Sequence, residues 1–228
     1  ACPYAAGAAA CIQSAAKIVT GKYLTPGHLK QIMTTTGDPI TDTKVAITKP
    51  RVNLGHAIEH VINNPCADVT IGTGGLNWSY PFHTNYHDSR TEVIYRSGEL
   101  GGRGFITGLA FHVTTIPGQT MEKWTIRMKH TTMNTFSGCS LDSTGWTVVY
   151  QNNEPRGSTG WPMYTFSTPF YYNGVNNLLV DFSHNNRSYS SNGQVKYSTP
   201  GGNRSVYAFS DSTHGDPLNW SGGSSPTA

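Results

Sequence analysis

The sequence predicts a mainly β chain: an antiparallel, jelly-roll-like β sandwich preceded by a short helical segment. Three observations lead there. Up to Pro65 the only aromatic residues are Tyr4 and Tyr23, whereas beyond it Trp, Tyr and Phe recur every few residues. Apolar residues recur at helical spacing before Pro65 but alternate with period two from Val69 onward. Turn-forming stretches (IPGQ, DSTG, YNGVNN, SSNGQ and TPGGN) separate the alternating runs. The expected organisation is therefore a helical segment over 1–65, a sandwich over 66–220 and a flexible tail over 221–228, the last carrying GGSSPTA.

The first helix is expected from Pro3, which loses nothing by lacking an N–H in a first turn, to about Val19, with Gly21 ending it. Between Ala5 and Ile18 its only charge is Lys17, so burial on several sides is expected. In LTPGHLKQIMTTTGDPI, Thr25 can cap and Pro26 can open a second helix whose apolar stripe is Leu29, Ile32 and Met33. A loop is expected next. A third helix is read over PRVNLGHAIEHVINN, 50 to 64, with Leu54, Ala57, Ile58 and Val61 on one face.

The strands follow from alternation. In EKWTIRMKHT, Trp124, Ile126, Met128 and His130 alternate with Thr125, Arg127 and Lys129. In GFITGLAFHVTT, Phe105, Leu109, Phe111 and Val113 are assigned to one face. TEVIYR, GWTVVYQ, WPMYTFSTPF, NNLLVDFS and RSVYAFSD continue the series. Over 69–210 the expected core includes Trp124, Ile126, Met128, Leu178, Val180 and Phe182.

Composition narrows the function. Only 13% of residues are charged, against about a quarter in ordinary globular chains, so Ser, Thr, Asn and Gly must cover the surface, as in many secreted β proteins. The net charge is +3 and the basic residues are scattered, which argues against a nucleic-acid partner. No apolar run approaches the roughly 18 residues of a membrane span. Cys2, Cys11, Cys66 and Cys139 form no C-x-x-C pair, which disfavours a zinc knuckle. Cys2 and Cys11 are too far apart on one helix to bridge and read as buried thiols, while Cys66 and Cys139 could pair.

Three segments carry a resemblance. Ala1, Cys2 and Pro3 match the last three positions of G-T-S-M-A-x-P; LTPGHLKQIM matches L-T-P-x-x-[IVL]-K-x-[IL]-[LM]; PRVNLGHAI matches G-R-[IV]-N-x-x-x-A-[IL]. In this order and spacing, residues 1 to 62 resemble the C-terminal end of a subtilisin-like (subtilase, peptidase S8) serine protease domain. The resemblance implies that the nucleophilic serine lies two residues before Ala1, with the other triad members further upstream. No residue of this chain then takes the nucleophile, base or oxyanion role that acyl transfer needs. Residues 66 to 228, through TTIPGQTMEKWTIRMKHTT, GWTVVYQ and TFSTPFYYNGVNNLLVDFSHNN, resemble accessory sandwiches of secreted bacterial proteases.

Other constellations compete with plainer explanations. HAIEH fits H-x-x-E-H, where His56 and His60 would ligate zinc and Glu59 would activate water, but a solvated amphipathic helix explains it better. His83, His87 and Asp88 of HTNYHD could surround a cation, or form a polar loop. Asp142, Asp181, Asp211 and Asp216 are read as turn-adjacent and could offer oxygens to calcium, yet no D-x-D-x-D-G loop is present, so no cofactor is assigned. Trp78, Trp146, Trp161 and Trp220 lie near turns and could stack on sugars, or pack the sandwich. N-x-[ST] occurs at Asn77, Asn186, Asn203 and Asn219.

Three functions are expected to compete. The first is a non-catalytic fragment of a secreted endopeptidase with a surface-binding sandwich. The second is an extracellular filament or homo-oligomer of this chain with itself, built by helical faces docking between copies. The third is a module for extracellular polysaccharide.

Overall fold

The computed structural model describes residues 2–20, 22–63, 68–211 and 215–221. The chain divides into two compact units, one of residues 1–68 with 103–105, the other of 69–102 with 106–228.

The first unit holds α1 (Cys2–Thr20), α2 (Pro26–Thr35), β1 (Asp38–Asp42), β2 (Ile47–Arg51) and α3 (Leu54–Asn63). Thr25 caps α2 as expected, its Oγ1 accepting from the His28 N–H at 3.2 Å, with Pro26 in the first turn. The Gln13 amide ties α1 to the turn before α2: Nε2 donates to the Leu24 carbonyl at 2.9 Å and Oε1 accepts from the Leu24 N–H at 2.7 Å. Ile12, Ala16, Leu24, Ile32, Ala57 and Val61 form the core of this unit.

Three expectations change here. The segment between α2 and α3 is an antiparallel hairpin rather than a loop, with Pro39 opposite Pro50. A two-stranded ribbon has only edges, where proline's missing N–H is tolerated. Pro50 and Arg51 therefore belong to β2, and α3 starts at Leu54 behind Asn53, whose Oδ1 accepts from the His56 N–H at 3.0 Å. Finally, α1 buries one stripe, Ala8, Ile12 and Ala16, while Tyr4, Gly7, Cys11, Ser14 and Ile18 stay exposed. Cys11 is thus a free exposed thiol, not a buried one. The Cys2 side chain lies outside the described residues, as does Cys66 and with it the Cys66–Cys139 pairing; Cys139 is exposed.

Ten further strands follow: β3 (Leu76–Trp78), β4 (Asp88–Tyr95), β5 (Gly104–Ala110), β6 (Val113–Thr115), β7 (Met121–Thr131), β8 (Thr147–Glu154), β9 (Met163–Tyr172), β10 (Asn177–Asn185), β11 (Gln194–Tyr197) and β12 (Ser205–Ser210). An antiparallel five-stranded sheet runs β12-β4-β10-β7-β8, an antiparallel three-stranded sheet runs β3-β11-β6, and β5 pairs with β9. The chain is mainly β, and its arrangement is sandwich-like. Trp124, Ile126, Met128, Leu178, Val180 and Phe182 are all buried, in one core with Val113 and Val195 of the small sheet and Tyr164, Phe166, Phe170 and Tyr172 of β9. Register explains the grouping: Val180 stands opposite both Val93 and Met128, and Phe182 opposite both Thr91 and Ile126. Each such side chain contributes about 1.5–3 kcal/mol on burial. Leu109, Phe111 and Val113 join this core, but Phe105 packs edge-on to His28 at 4.9 Å and His60 at 5.6 Å in the first unit.

The other face of the five-stranded sheet is buried as well. Ile94, Leu179, Val206 and Ala208 are covered there by Phe136, Leu141 and Trp220. Strand β10 is therefore buried from Asn177 to His184 without alternation.

Candidate functional site

Strand β12 is an edge strand whose inner-facing residues include Tyr207 and Phe209, opposite Thr91 and Ser89 of β4. The segment WSYPFHTNY, 78 to 86, crosses this edge and lays its rings on them. Tyr80 stacks on Tyr207 with centroids 4.1 Å apart and planes 28° from parallel. Trp78 touches Tyr80, Tyr197 and Tyr207 at 5.9, 5.3 and 5.9 Å. His83 packs against Tyr80 at 4.4 Å, Tyr86 at 4.9 Å and Phe209 at 5.1 Å, and Tyr86 meets Phe209 at 4.1 Å. Seven rings thus form one continuous band, with Trp78 40% exposed and Tyr207 similarly open.

The band is electrically neutral. Burial lowers the His83 imidazole to about 4, so the ring is uncharged at neutral pH. Burial, with Tyr207 and Tyr86 beside it, pushes the Tyr80 phenol well above its usual range, so it keeps its proton. Flat, polarisable faces fringed by phenol hydroxyls suit a ligand with an apolar C–H face and a polar edge, which is the build of a sugar ring.

Of the four tryptophans that could stack on sugars or pack the sandwich, Trp78 heads this band and Trp161 is exposed elsewhere, stacked on His112 at 5.0 Å. The other two take the alternative, packing against the sandwich. Trp220 is 0% exposed and fills the core on the second sheet face. Trp146 is half-buried, with the Arg127 and Lys129 cations 5.2 and 4.9 Å from its ring and its indole N–H donating to the Asp142 carbonyl. These anchors satisfy a tryptophan that the sequence leaves beside a turn.

The metal candidates are not assembled. Among the described residues no three His, Cys, Asp or Glu side chains group to hold an ion. His56 faces Asp38 at 3.8 Å, whereas His60 faces Phe105. His83 belongs to the band, His87 stacks on Tyr189, and Asp88 opens β4. Asp181 is not turn-adjacent: it sits mid-strand in β10, fully buried, with Arg90 Nε at 2.5 Å and Arg127 NH2 at 3.0 Å. Asp142 pairs with Lys129, and Asp216 caps a short turn by accepting from the Leu218 N–H. Asn186 is buried and its Oδ1 accepts from the Glu122 N–H at 2.7 Å, so it is closed to glycans; Asn77, Asn203 and Asn219 are exposed.

The buried charges serve the fold. Arg90 donates to Asp181, to Glu92 at 2.7 Å and to the carbonyls of Asp142, Pro217 and Trp220, while Arg127 donates to Asp181 and the Leu218 carbonyl. This network fastens the 216–220 turn and the 141–146 loop over the sheet. Burial pushes the Glu92 carboxyl up to about 8, with Arg90 opposing.

Tyr80, Tyr86, Tyr197, Tyr207 and Phe209 were not singled out from sequence, and His83 only as a candidate cation ligand. The density of rings in WSYPFHTNY and the alternation in SVYAFS were the available signals, but only the β12–β4 register brings them together. Among the described residues no helix is long and apolar enough to cross a membrane. Comparison with protein-family models, with curated proteins and with solved structures finds no match for this chain.

Proposed function

We propose that this chain is a non-catalytic part of a secreted subtilisin-like serine endopeptidase whose β sandwich binds extracellular polysaccharide on the aromatic band. The protease relationship rests on the motifs at 1–3, LTPGHLKQIM and PRVNLGHAI. In that relationship no residue here has a catalytic role, so a serine-directed covalent probe should leave the 228-residue chain unlabelled. Stoichiometric labelling at any residue would refute the alignment.

One observation carries the binding role: a partly exposed tryptophan heads seven contiguous rings on the sandwich rim. Rings needed only to close the rim gain nothing from exposure, whereas a stacking ligand needs an open face. Retention on a panel of insoluble polysaccharides tests this. The chain should be retained, and Trp78→Ala with Tyr207→Ala should elute unretained.

A second reading has its own observation. The outward stripe of α1 carries Tyr4, 67% exposed, and Ile18, 84% exposed, with Gly7, Cys11 and Ser14 between them. Small residues at this spacing allow close helix approach, so copies of the chain could assemble through it into a homo-oligomer or filament.

A further inference from the structure

On the outer face of the three-stranded sheet, four side chains stand in a row across neighbouring strands. Val113 and Val195 point into the core, so their neighbours along each strand point outward. Asn77 of β3 pairs with Lys196 of β11. The Lys196 N–H donates to the His112 carbonyl at 2.9 Å. Gly160 continues the sheet by exchanging two hydrogen bonds with Val113, at 2.7 and 2.9 Å, which puts Trp161 on the same outer face as His112. There the Trp161 ring lies over the imidazole, 5.0 Å between centroids and 23° from parallel, and is 58% exposed. The row Asn77, Lys196, His112, Trp161 spans three strand spacings, about 14 Å. The band does not use it: Trp78 follows Asn77 directly and points to the opposite side of β3.

Lys196 makes no ion pair among the described residues, and no carboxylate stands in the row. A chain lying from Asn77 to Trp161 must cross the Lys196 ammonium and strip part of its water. A neutral ligand leaves that loss uncompensated, whereas a carboxylate replaces the water with an ion pair. Trp161 supplies a stacking face already held flat by His112, and the Asn77 amide can both donate and accept toward hydroxyls.

We propose that this strip is a second subsite, for an acidic polysaccharide: a uronate chain stacked on Trp161 with a carboxylate against Lys196. The proposal rests on the reading of the sandwich as a polysaccharide-binding module, but it uses a different face and different residues.

The test measures calorimetric binding of the full chain to oligomers of galacturonate, glucuronate and mannuronate, each beside its methyl-esterified, uncharged form. At least one acid form should bind more tightly than its ester, with an advantage that shrinks as salt is raised. Lys196→Gln should weaken the acid form about threefold and leave the ester unchanged, with Lys196→Arg restoring the preference. Trp161→Ala should weaken both forms at least about tenfold. Trp78→Ala should leave uronate binding intact while abolishing retention on neutral polysaccharide. Unchanged melting curves confirm that each variant is folded. Equal affinity for acid and ester, a silent Lys196→Gln, or no binding to any uronate would overturn the subsite. No retention of the unsubstituted chain on any neutral polysaccharide, with its uronate binding kept through Trp161, would instead overturn the band.

Discussion

Glu92 shows how burial changes what a single residue contributes. Its Oε1 accepts from Arg90 and from the Asp142 N–H at 2.8 Å, while the whole side chain is out of water. Burial raises the carboxyl to about 8, so the folded chain holds that proton more tightly than the unfolded chain does. The stability gained is complete below the ordinary carboxylate range and is lost as pH rises through about 8. Glu92→Gln keeps an acceptor oxygen and has no proton to lose. The variant should match the parent near pH 5 and melt higher above pH 8, by on the order of 5 °C. Parallel melting curves for the two at every pH would refute the assignment. None of this was legible in TEVIYR, where Glu92 reads as the polar side of an alternating strand. Alternation cannot reveal that the 216–220 turn beyond β12, and a loop between β7 and β8, cover that side too.

At the scale of elements, the informative cases are β7 and β10. Their apolar alternation put Trp124, Ile126, Met128, Leu178, Val180 and Phe182 on the right face, because period two fixes which residues share a side. Leu178→Asp or Val180→Asp should therefore abolish the cooperative β unfolding transition, since an unpaired buried carboxylate is costly. Retention of the parental melting temperature by either variant would contradict the register. Helix caps were equally legible, as Thr25 shows, because a cap is a local bond between neighbours. The β1–β2 hairpin was not. Its ten strand residues are largely exposed, so no buried face imposes a pattern, and Pro39 and Pro50 look like breakers. The reading of α1 as buried on several sides failed for a related reason: alanine and glycine tolerate burial but do not require it.

For the whole molecule, the faces of the long strands were readable, but the short strands β3 and β11 were not, nor was the order β12-β4-β10-β7-β8, since pairing between β12 and β4 joins segments more than a hundred residues apart. The proposed binding surface inherits that limit. Trp78 and Trp161 could be picked out as residues, whereas the band exists only once β12 lies beside β4. Self-assembly is a property at this scale too. If α1 joins copies through Tyr4, Gly7, Cys11, Ser14 and Ile18, deleting residues 1–20 should convert an oligomer into monomers that keep the β signature. Light scattering under reducing conditions distinguishes this from cross-linking through the exposed Cys11; a full-length chain already monomeric at high concentration would refute it. The central claim remains that the sandwich is a polysaccharide-binding module with the Trp78–Tyr80–Tyr207 rings at its contact surface. Its most direct test is tryptophan fluorescence and retention of the full chain on neutral polysaccharides, beside a folded Trp78→Ala, Tyr207→Ala variant. Saturable binding by the parent, reduced at least about tenfold in the variant, is the result expected. Equal binding by both proteins, or none by the parent to any polysaccharide, would contradict it.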